Sequence, residues 1–363
     1  MIERQRINHI DWFLLTITLT LAAVGIATIY SATYSQDSAV WQRQIFWLLL
    51  GSLVMVPAVM VDYSVFGKFA YILLGASVAT LVIALIFGRK VSGAQRWLSL
   101  GFVSIQPSEF AKIAFTIALS KYLSEKEPLP DGLGFRELII PAAIFAVPFL
   151  LIAKQPDLGT ALIFLFVLSS MLLIVKIRTR TLVTLVAAAG AAVPFAWRFL
   201  KDYQKARLLS FTDPAMDPLG TGYHLVQSKI AIGSGGFFGK GFTESTQGNL
   251  MFLPAHHTDF IFPILAEEWG FVGSIAVTAL FGLLVVRGIN IAGGAKDRFG
   301  FLLAFGITSL VFWHAVINMG MVIGLLPVVG VPMPFMSYGG SFLLTMLLGI
   351  ALLLNVRMRS YIF

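Results

Sequence analysis

Long apolar stretches, separated by short polar segments, dominate this sequence and limit what it can fold into. A helix needs about 20 mostly apolar residues to cross a bilayer. Segments of about this length lie near residues 11–31, 43–61, 66–87, 106–123, 137–153, 157–175, 181–200, 260–286, 299–325 and 337–356. Only 12% of the residues are charged, whereas an average soluble domain has about 25%. We therefore predict an all-α polytopic membrane protein with about ten transmembrane helices, residues 1–363 forming one integral membrane domain.

The Lys and Arg residues are unevenly divided between the loops of this topology. Ten spans place both termini on one side, and most basic residues of the short loops fall on that side. Because Lys and Arg are enriched in cytoplasmic loops, both termini are predicted to be cytoplasmic. The net charge of +8 is then a signal of topology and not of nucleic-acid binding. The sequence contains no cysteine, so disulfide and thiolate chemistry are excluded.

The outward-facing segments then include a long loop, residues 201–259, between helices seven and eight, and the shorter segments 88–105, 154–157 and 326–336. The unusual polar residues lie in or beside these segments. A functional site that faces outward follows from this arrangement.

Two charged residues open the fourth span. Glu109 lies in the predicted first turn, where the helix dipole favours an anion, and Lys112 follows at i+3 on the same face. A lysine inside a span faces a partner or a watery cavity. Two interpretations are open: a local pair that lets the helix tolerate its charges, or a cation aimed at an anionic substrate.

Three more charged residues have a structural and a functional interpretation. Asp157, in the stretch KQPDLGT, either caps the sixth span or belongs to a site. Lys154 and Arg96 are both outward-facing and so run against the charge bias. Each is either a surface residue with its charge in water or a ligand of an anion.

The long outer loop contains two further features. HLVQSKIAI, residues 224–232, is predicted to form an amphipathic helix on the bilayer surface. GSGGFFGKGF, residues 233–242, is either a flexible loop or a phosphate-binding backbone with Lys240 beside it. The spacing of its glycines matches neither a P-loop nor a dinucleotide-binding fingerprint.

The stretch PAHHTDFIF, residues 254–262, brings His257, Thr258 and Asp259 to the edge of the eighth span. Asp259 has three interpretations: a helix cap, a metal ligand or a general base in a cavity at the membrane surface. Zinc is disfavoured because adjacent histidines diverge and no H-E-x-x-H spacing is present. Glu267 and Glu268 lie about two helical turns further into the same span and should face a cavity or a cationic partner. Before the tenth span, Ser337 and its neighbouring glycines permit close approach of a helix or a ligand.

At these residues the chain resembles the SEDS family, the RodA and FtsW type proteins, and most of all the elongation type, RodA. The resemblance is carried by RWLSLGFVSIQPSEFAK, KQPDLGT, GTGYHLVQSKIAIGSGGFFGKGF, LPAHHTDFIFPILAEEWG and HAVINMGMVIGLLPVVGVPMPFMSYGGS, in this order. It implies a peptidoglycan glycosyltransferase in the bacterial cytoplasmic membrane. Such an enzyme polymerises lipid II into glycan strands on the outer face during cell elongation and shape maintenance.

The resemblance also implies roles for individual residues. Asp259 occupies the essential aspartate position and would be the catalytic base of an inverting transfer. Candidates for stabilising the pyrophosphate leaving group are Arg96, Lys112, Lys154 and Lys240, and the other candidate substrate-binding residues are Glu109, Asp157, His257, Thr258 and Ser337.

The implied partners are lipid II, the growing glycan strand, membrane lipid and a class B penicillin-binding protein, a transpeptidase. That protein is expected to bind spans eight and nine and the outer loop. No cofactor is built in, although Mg²⁺ or Mn²⁺ is expected to be able to accompany the pyrophosphate.

Two alternatives stay open at this point, a lipid II flippase and a non-catalytic scaffold of the wall-synthesis complex. A flippase needs polar groups along a path between both faces, whereas the intramembrane charges here lie mainly toward the outside. Glu267 and Glu268, deeper in the eighth span, do not follow this trend.

Overall fold

The computed structural model describes residues 10–34, 39–91, 94–101, 103–127, 129–200, 202–214, 217, 220–249 and 257–360. This part of the chain forms 14 helices and one small sheet. The helices are α1 (Trp12–Thr33), α2 (Val40–Met60), α3 (Tyr63–Lys68), α4 (Ala70–Phe87), α5 (Pro107–Glu125), α6 (Phe135–Lys154), α7 (Leu158–Val175), α8 (Thr179–Phe199), α9 (Asp202–Thr212), α10 (Thr221–Ser234), α11 (Thr246–Asn249), α12 (Ile261–Gly293), α13 (Arg298–Ile323) and α14 (Gly340–Arg359).

Each of the ten predicted spans coincides with a helix, so the prediction of a polytopic helical membrane protein is confirmed. Eight of these helices are long and apolar enough to cross a bilayer. The other two are α5, which carries the Glu109–Lys112 pair, and α8, whose apolar part is Thr179–Phe195. From Val183 to Phe195, α8 is exposed on every side, so in a bilayer these side chains would face lipid.

A three-stranded antiparallel sheet occupies residues 89–105, where the sequence predicted only a loop. Its strands are β1 (Arg89–Val91), β2 (Ala94–Leu100) and β3 (Val103–Ile105), in the order β1-β2-β3. Leu98 pairs with Ile105, and both side chains line an apolar groove of about 550 Å³ against α4 and α5. Both side chains are partly buried, and this apolar contact places the sheet against the helix bundle.

Polar side chains from α14 close the end of α2. Helix ends leave carbonyl groups without intrahelical partners, and in a membrane these groups must be satisfied by the protein. Asn355 donates to the carbonyl of Ala58 at 2.7 Å, and Arg359 donates to the carbonyl of Met60 at 2.9 Å and to Asp62 at 2.9 Å. The buried helix α14 is thereby fixed against α2.

The predicted helix in HLVQSKIAI is present as part of α10, and it rests on the protein. Leu225, Ser228 and Ala231 are buried, and the helix packs against α12 and α13. The Ser228 hydroxyl donates to the carbonyl of Val322 at 2.7 Å, near the end of α13. The outer loop is therefore anchored on α12 and α13.

A break in α12 receives the glycine-rich segment 233–242. Gly270 has φ 65°, which interrupts the helix and frees backbone groups on both sides. The amides of Lys240 and Gly241 donate to the carbonyls of Glu267 and Glu268 at 3.0 Å each, and the Phe271 amide donates to Gly236 at 3.0 Å. The segment is therefore a packed part of the fold.

Candidate active site

A polar cavity of about 1000 Å³ opens where the sheet, the beginnings of α2, α5 and α7, the turn 257–260 and the segment before α14 meet. Six of the ten predicted site residues line it: Arg96, Glu109, Asp157, His257, Thr258 and Asp259. They come from four places in the sequence that only the fold brings together. Lys112, Lys154, Lys240 and Ser337 are not on its wall.

Asp259 does not cap the helix that follows it. The N-cap of α12 is Phe260, and no side-chain hydrogen bond caps this end. The capping interpretation of Asp259 is therefore wrong, and its carboxylate instead faces the cavity.

The backbone around Asp259 is held by Asn318 of α13. The Asn318 amide group donates to the carbonyl of Asp259 at 2.9 Å and to the carbonyl of Val331 at 2.7 Å. Gly330 has φ 73°, and a Cβ added there would lie 3.2 Å from Asp259 Oδ2. Glycine at this position therefore leaves room beside the carboxylate.

Ser337 braces the turn from outside the cavity. Its hydroxyl donates to the carbonyl of Thr258 at 2.5 Å and accepts from the amide of Met333 at 2.8 Å. The next amide, that of Tyr338, donates to the carbonyl of His257 at 2.9 Å. Gln44 of α2 donates to the carbonyl of Ser337 at 3.0 Å. The segment before α14 thus fixes the turn that carries Asp259.

The pKa of Asp259 is raised from its ordinary value to about 6, above all because the carboxyl group is desolvated. The nearby charges of Arg96 and Arg207 lower this pKa, and that of Asp157 raises it. Near neutral pH the group is therefore largely ionised, yet it binds a proton more tightly than an ordinary aspartate.

Asp157 both caps α7 and holds a cation at the cavity. One carboxylate oxygen accepts from the amide of Thr160 at 3.2 Å, which confirms the predicted cap. The other forms an ion pair with Arg96 Nη1 at 3.3 Å and accepts a hydrogen bond from Gln106 at 3.0 Å. Arg96 is thereby fixed with its guanidinium on the cavity wall, where it is partly exposed.

The predicted Glu109–Lys112 pair is present, with Lys112 Nζ 2.8 Å from Glu109 Oε2. Only Glu109 lines the cavity. Lys112 is 1% exposed and also lies 2.9 Å from Nε2 of His314 on α13. Its charge therefore acts on the cavity from behind the wall.

The other two predicted lysines lie elsewhere. Lys154 is exposed at the end of α6. Lys240 forms an ion pair with the buried Glu267 at 2.5 Å. Glu267 also accepts from the hydroxyl of Ser245 at 2.6 Å and from the amide of Gln247 at 3.2 Å. The Lys240–Glu267 pair anchors the outer loop beside α12.

Several cavity or supporting residues were missed by the sequence reasoning. Arg43 and Trp47 of α2 line the cavity, and Gln44, Gln106 and Asn318 hold its wall by hydrogen bonds. A polar residue within an apolar span, such as Asn318 in HAVINMG, was the available signal. Nothing in the sequence indicated what it would bind.

A resident metal site is not found in the part of the chain that the structure describes, where no three His, Asp or Glu residues form a group suited to hold an ion. Glu109, Asp157 and Asp259 each present carboxylate oxygens to the cavity, and such oxygens suit Mg²⁺ or Mn²⁺. The cavity wall is thus compatible with a divalent ion that enters bound to a ligand.

Comparisons with known proteins agree on one family. A family model described as "Cell cycle protein", FTSW_RODA_SPOVE, matches residues 9–362. The chain is 40% identical to peptidoglycan glycosyltransferase MrdB of Escherichia coli K12, covering 96% of this chain and 94% of that one. It is 38% identical to stage V sporulation protein E of Bacillus subtilis, covering 96% and 97%.

Solved structures give the same result. A chain from a study of how a peptidoglycan synthase complex coordinates polymerization and crosslinking is 34% identical, with a TM-score of 0.85 and coverage of 98% and 99%. The rod shape determining protein RodA of Thermus thermophilus is 29% identical, with a TM-score of 0.73 and coverage of 97% and 98%.

The raised pKa of Asp259 predicts a pH-dependent effect of Asp259→Asn on stability. A carboxyl group whose pKa is higher in the folded state favours folding below its unfolded pKa, near 4, and this contribution is lost as the pH rises through about 6. At pH 8 the Asn variant should therefore be more stable than the wild type, by on the order of 2 kcal/mol. At pH 4 this advantage should vanish.

Melting of the detergent-solubilised protein at both pH values measures the effect. Asp131→Asn, at an exposed position, controls for the loss of one negative charge. An Asn variant that is less stable than the wild type at pH 8 would show that burial does not disfavour the Asp259 anion.

Proposed function

The chain belongs to the FtsW/RodA/SpoVE family of cell cycle proteins, and we propose that it is a peptidoglycan glycosyltransferase that polymerises lipid II into glycan strands during cell elongation and shape maintenance. One observation carries the proposal in this chain. The Asp259 carboxylate does not cap α12, the helix that follows it. It lies instead at a polar cavity of about 1000 Å³ whose wall also includes Arg96.

The chemistry requires a base at this place. Asp259 removes the proton from the 4-hydroxyl of the acceptor sugar as that oxygen attacks the anomeric carbon of the donor. The bond from the anomeric carbon to undecaprenyl pyrophosphate breaks, and the pyrophosphate leaves with the electron pair. An α-linked donor then gives a β-1,4 product by a single displacement. A base with a pKa of about 6 is ionised at neutral pH and still accepts a proton readily.

The leaving group requires positive charge that is already in place. Arg96 supplies it from the cavity wall, because its ion pair with Asp157 at 3.3 Å holds the guanidinium there before substrate binds. Arg43, on the same wall, is a second cation for this purpose. A divalent cation bound to the pyrophosphate would enter with the substrate and add positive charge, and Glu109 and Asp157, which line the cavity, are already paired with Lys112 and Arg96.

The apolar groove of about 550 Å³ behind the sheet can receive the part of the undecaprenyl tail nearest the pyrophosphate. Leu98 and Ile105 line that groove, while Arg96 and Ser104 of the same two strands line the polar cavity. The two strands therefore contribute both to an apolar surface and to the polar cavity, as a lipid-linked sugar requires.

We infer that both termini are cytoplasmic and that the cavity faces outward. Asp11, at the start of α1, pairs with Arg287 at 2.7 Å and with Arg357, near the end of α14, at 3.9 Å. The start of α1 and the end of α14 thus lie at the same end of the bundle. The turn 257–260 directly precedes α12, whose other end carries Arg287, and the sheet follows the end of α4. Both therefore lie at the end of the bundle opposite this basic cluster.

The partner we propose is a class B penicillin-binding protein that crosslinks the strands. An exposed aromatic surface suits its membrane segment: Phe237 and Phe238 of the glycine-rich segment, with Trp269 and Phe271 of α12. Phe238 is 80% exposed, and the rings of Phe237 and Phe271 lie 5.6 Å apart. Exposed aromatic patches of this kind mark contacts with proteins or lipid.

Glu267 and Glu268 were the charges that best suited a flippase, because they lie deeper in the eighth span. Their contacts in the structure do not favour that alternative. Glu267 is satisfied by the outer loop, and Glu268 accepts a short hydrogen bond from Ser31 of α1. Both carboxylates therefore hold protein segments together, and neither forms part of a polar path toward the cytoplasmic side.

Replacement of Asp259 tests the proposed activity. The purified protein, reconstituted with its transpeptidase partner and supplied with lipid II, should produce glycan polymer. Asp259→Ala and Asp259→Asn should each lower the initial rate by about 100-fold or more, because the general base is lost. Both variants should still fold and bind the partner. Polymerisation by both variants at the wild-type rate would reject the base assignment, and no polymer from the wild type would favour the flippase.

The absence of native cysteine permits a direct test of orientation. Single cysteines are placed at Glu244, exposed in the outer loop, and at Glu127, exposed between α5 and α6. A membrane-impermeant maleimide should label Cys at Glu244 in spheroplasts, and Cys at Glu127 only after permeabilisation. The reverse pattern would place the cavity on the cytoplasmic side.

A further inference from the structure

A buried histidine, His314 of α13, contacts two parts of the site at once. Its ring is 1% exposed and does not line the cavity. Nε2 lies 2.9 Å from Lys112 Nζ, and Nδ1 lies 3.3 Å from the carbonyl of Pro332. The histidine thus connects the charged pair on α5 with the segment that passes behind Asp259.

The two contacts fix the protonation of the ring. A lysine ammonium has three donors and no acceptor, so Nε2 of His314 must be the acceptor and carries no proton. The Pro332 carbonyl can only accept, so Nδ1 must carry the proton. The ring is therefore neutral and in the Nδ1–H tautomer.

Through each of these two contacts, His314 is connected to a residue that lines the cavity. Lys112 lies 2.8 Å from Glu109, which lines the cavity. Pro332 also lines the cavity, and it follows Val331, whose carbonyl accepts from the same Asn318 that holds Asp259. His314 and Asn318 are one helical turn apart on α13, so together they hold the segment 330–332.

We propose that His314 is a positioning residue for the transfer reaction, which acts by accepting a hydrogen bond from Lys112 and donating one to Pro332. The proposal rests on the glycosyltransferase function proposed above. The contact to Lys112 should dominate, because it is shorter and involves a charge. A hydrogen bond to a charged group is stronger than one between neutral groups.

Three substitutions separate the two contacts. His314→Phe removes both ring nitrogens and keeps an aromatic ring beside Phe342, 5.0 Å away. Glutamine ends at the ε position, so His314→Gln can still accept from Lys112. Asparagine ends at the δ position, so His314→Asn can still donate to Pro332 and cannot reach Lys112. Trp313→Phe is the matched control, because it removes a hydrogen bond from the adjacent residue to Ser170 of α7, away from the site.

In the lipid II polymerisation assay, His314→Phe should lower kcat about tenfold or more. KM should change less than about threefold, because His314 does not touch the cavity. His314→Gln should recover most of the activity, His314→Asn should resemble the Phe variant, and Trp313→Phe should resemble the wild type. Full activity of His314→Phe, or recovery by Asn and not by Gln, would overturn the proposal.

The tautomer provides a test that does not depend on activity. The ¹⁵N NMR spectrum of histidine-labelled wild-type protein, assigned with His314→Gln, should show His314 protonated on Nδ1 only. A ring protonated on Nε2, or on both nitrogens, would overturn the proposal. An inactive wild type would instead count against the glycosyltransferase function and leave this spectrum as the deciding observation.

Discussion

A carboxylate acts as an effective base near neutral pH when its surroundings raise its pKa and still leave it open to substrate. The residues around Asp259 meet both conditions. Burial raises the pKa to about 6, while the positive charges of Arg96 and Arg207 limit the rise. The group is not used as a helix cap, because Phe260 occupies the N-cap position of α12. Asn318 and Ser337 instead hold the backbone of its turn, which leaves the carboxylate to the cavity.

The membrane makes these supporting contacts necessary. Irregular backbone at the end of a span must find hydrogen-bond partners within the protein, because lipid offers none. Polar side chains buried in helices supply them here: Gln44 and Asn318 near the site, Glu267 beneath the outer loop and Asn355 at the far end of α2. The polar residues inside the spans are thus mostly ligands of backbone, and a smaller set faces the cavity.

Local patterns predicted what local physics decides. Apolar length predicted a helix at each of the ten segments, eight of which are long and apolar enough to cross a bilayer. The i+3 spacing predicted the Glu109–Lys112 pair, and the position of Asp157 predicted its cap. The sheet at 89–105 was missed because its strands are short and depend on packing against α4 and α5. The partners of Lys240 and Asn318 lie 27 and 59 residues away, so no spacing rule identifies them. The sequence therefore named most of the charged residues of the cavity wall, but not Gln44 and Asn318, which hold that wall in place.

The pH dependence of kcat/KM for polymerisation by the wild-type protein is the most direct test of Asp259 as a base with a raised pKa. This ratio reports ionisation of the free enzyme. Replacing Asp259 shows that the residue is needed, whereas the pH profile shows whether its surroundings tune it. If Asp259 is the base, kcat/KM should rise with pH through a midpoint near 6, set by the pKa of Asp259, and then level off. A ratio that is the same at pH 5 and pH 8 would contradict this role of Asp259.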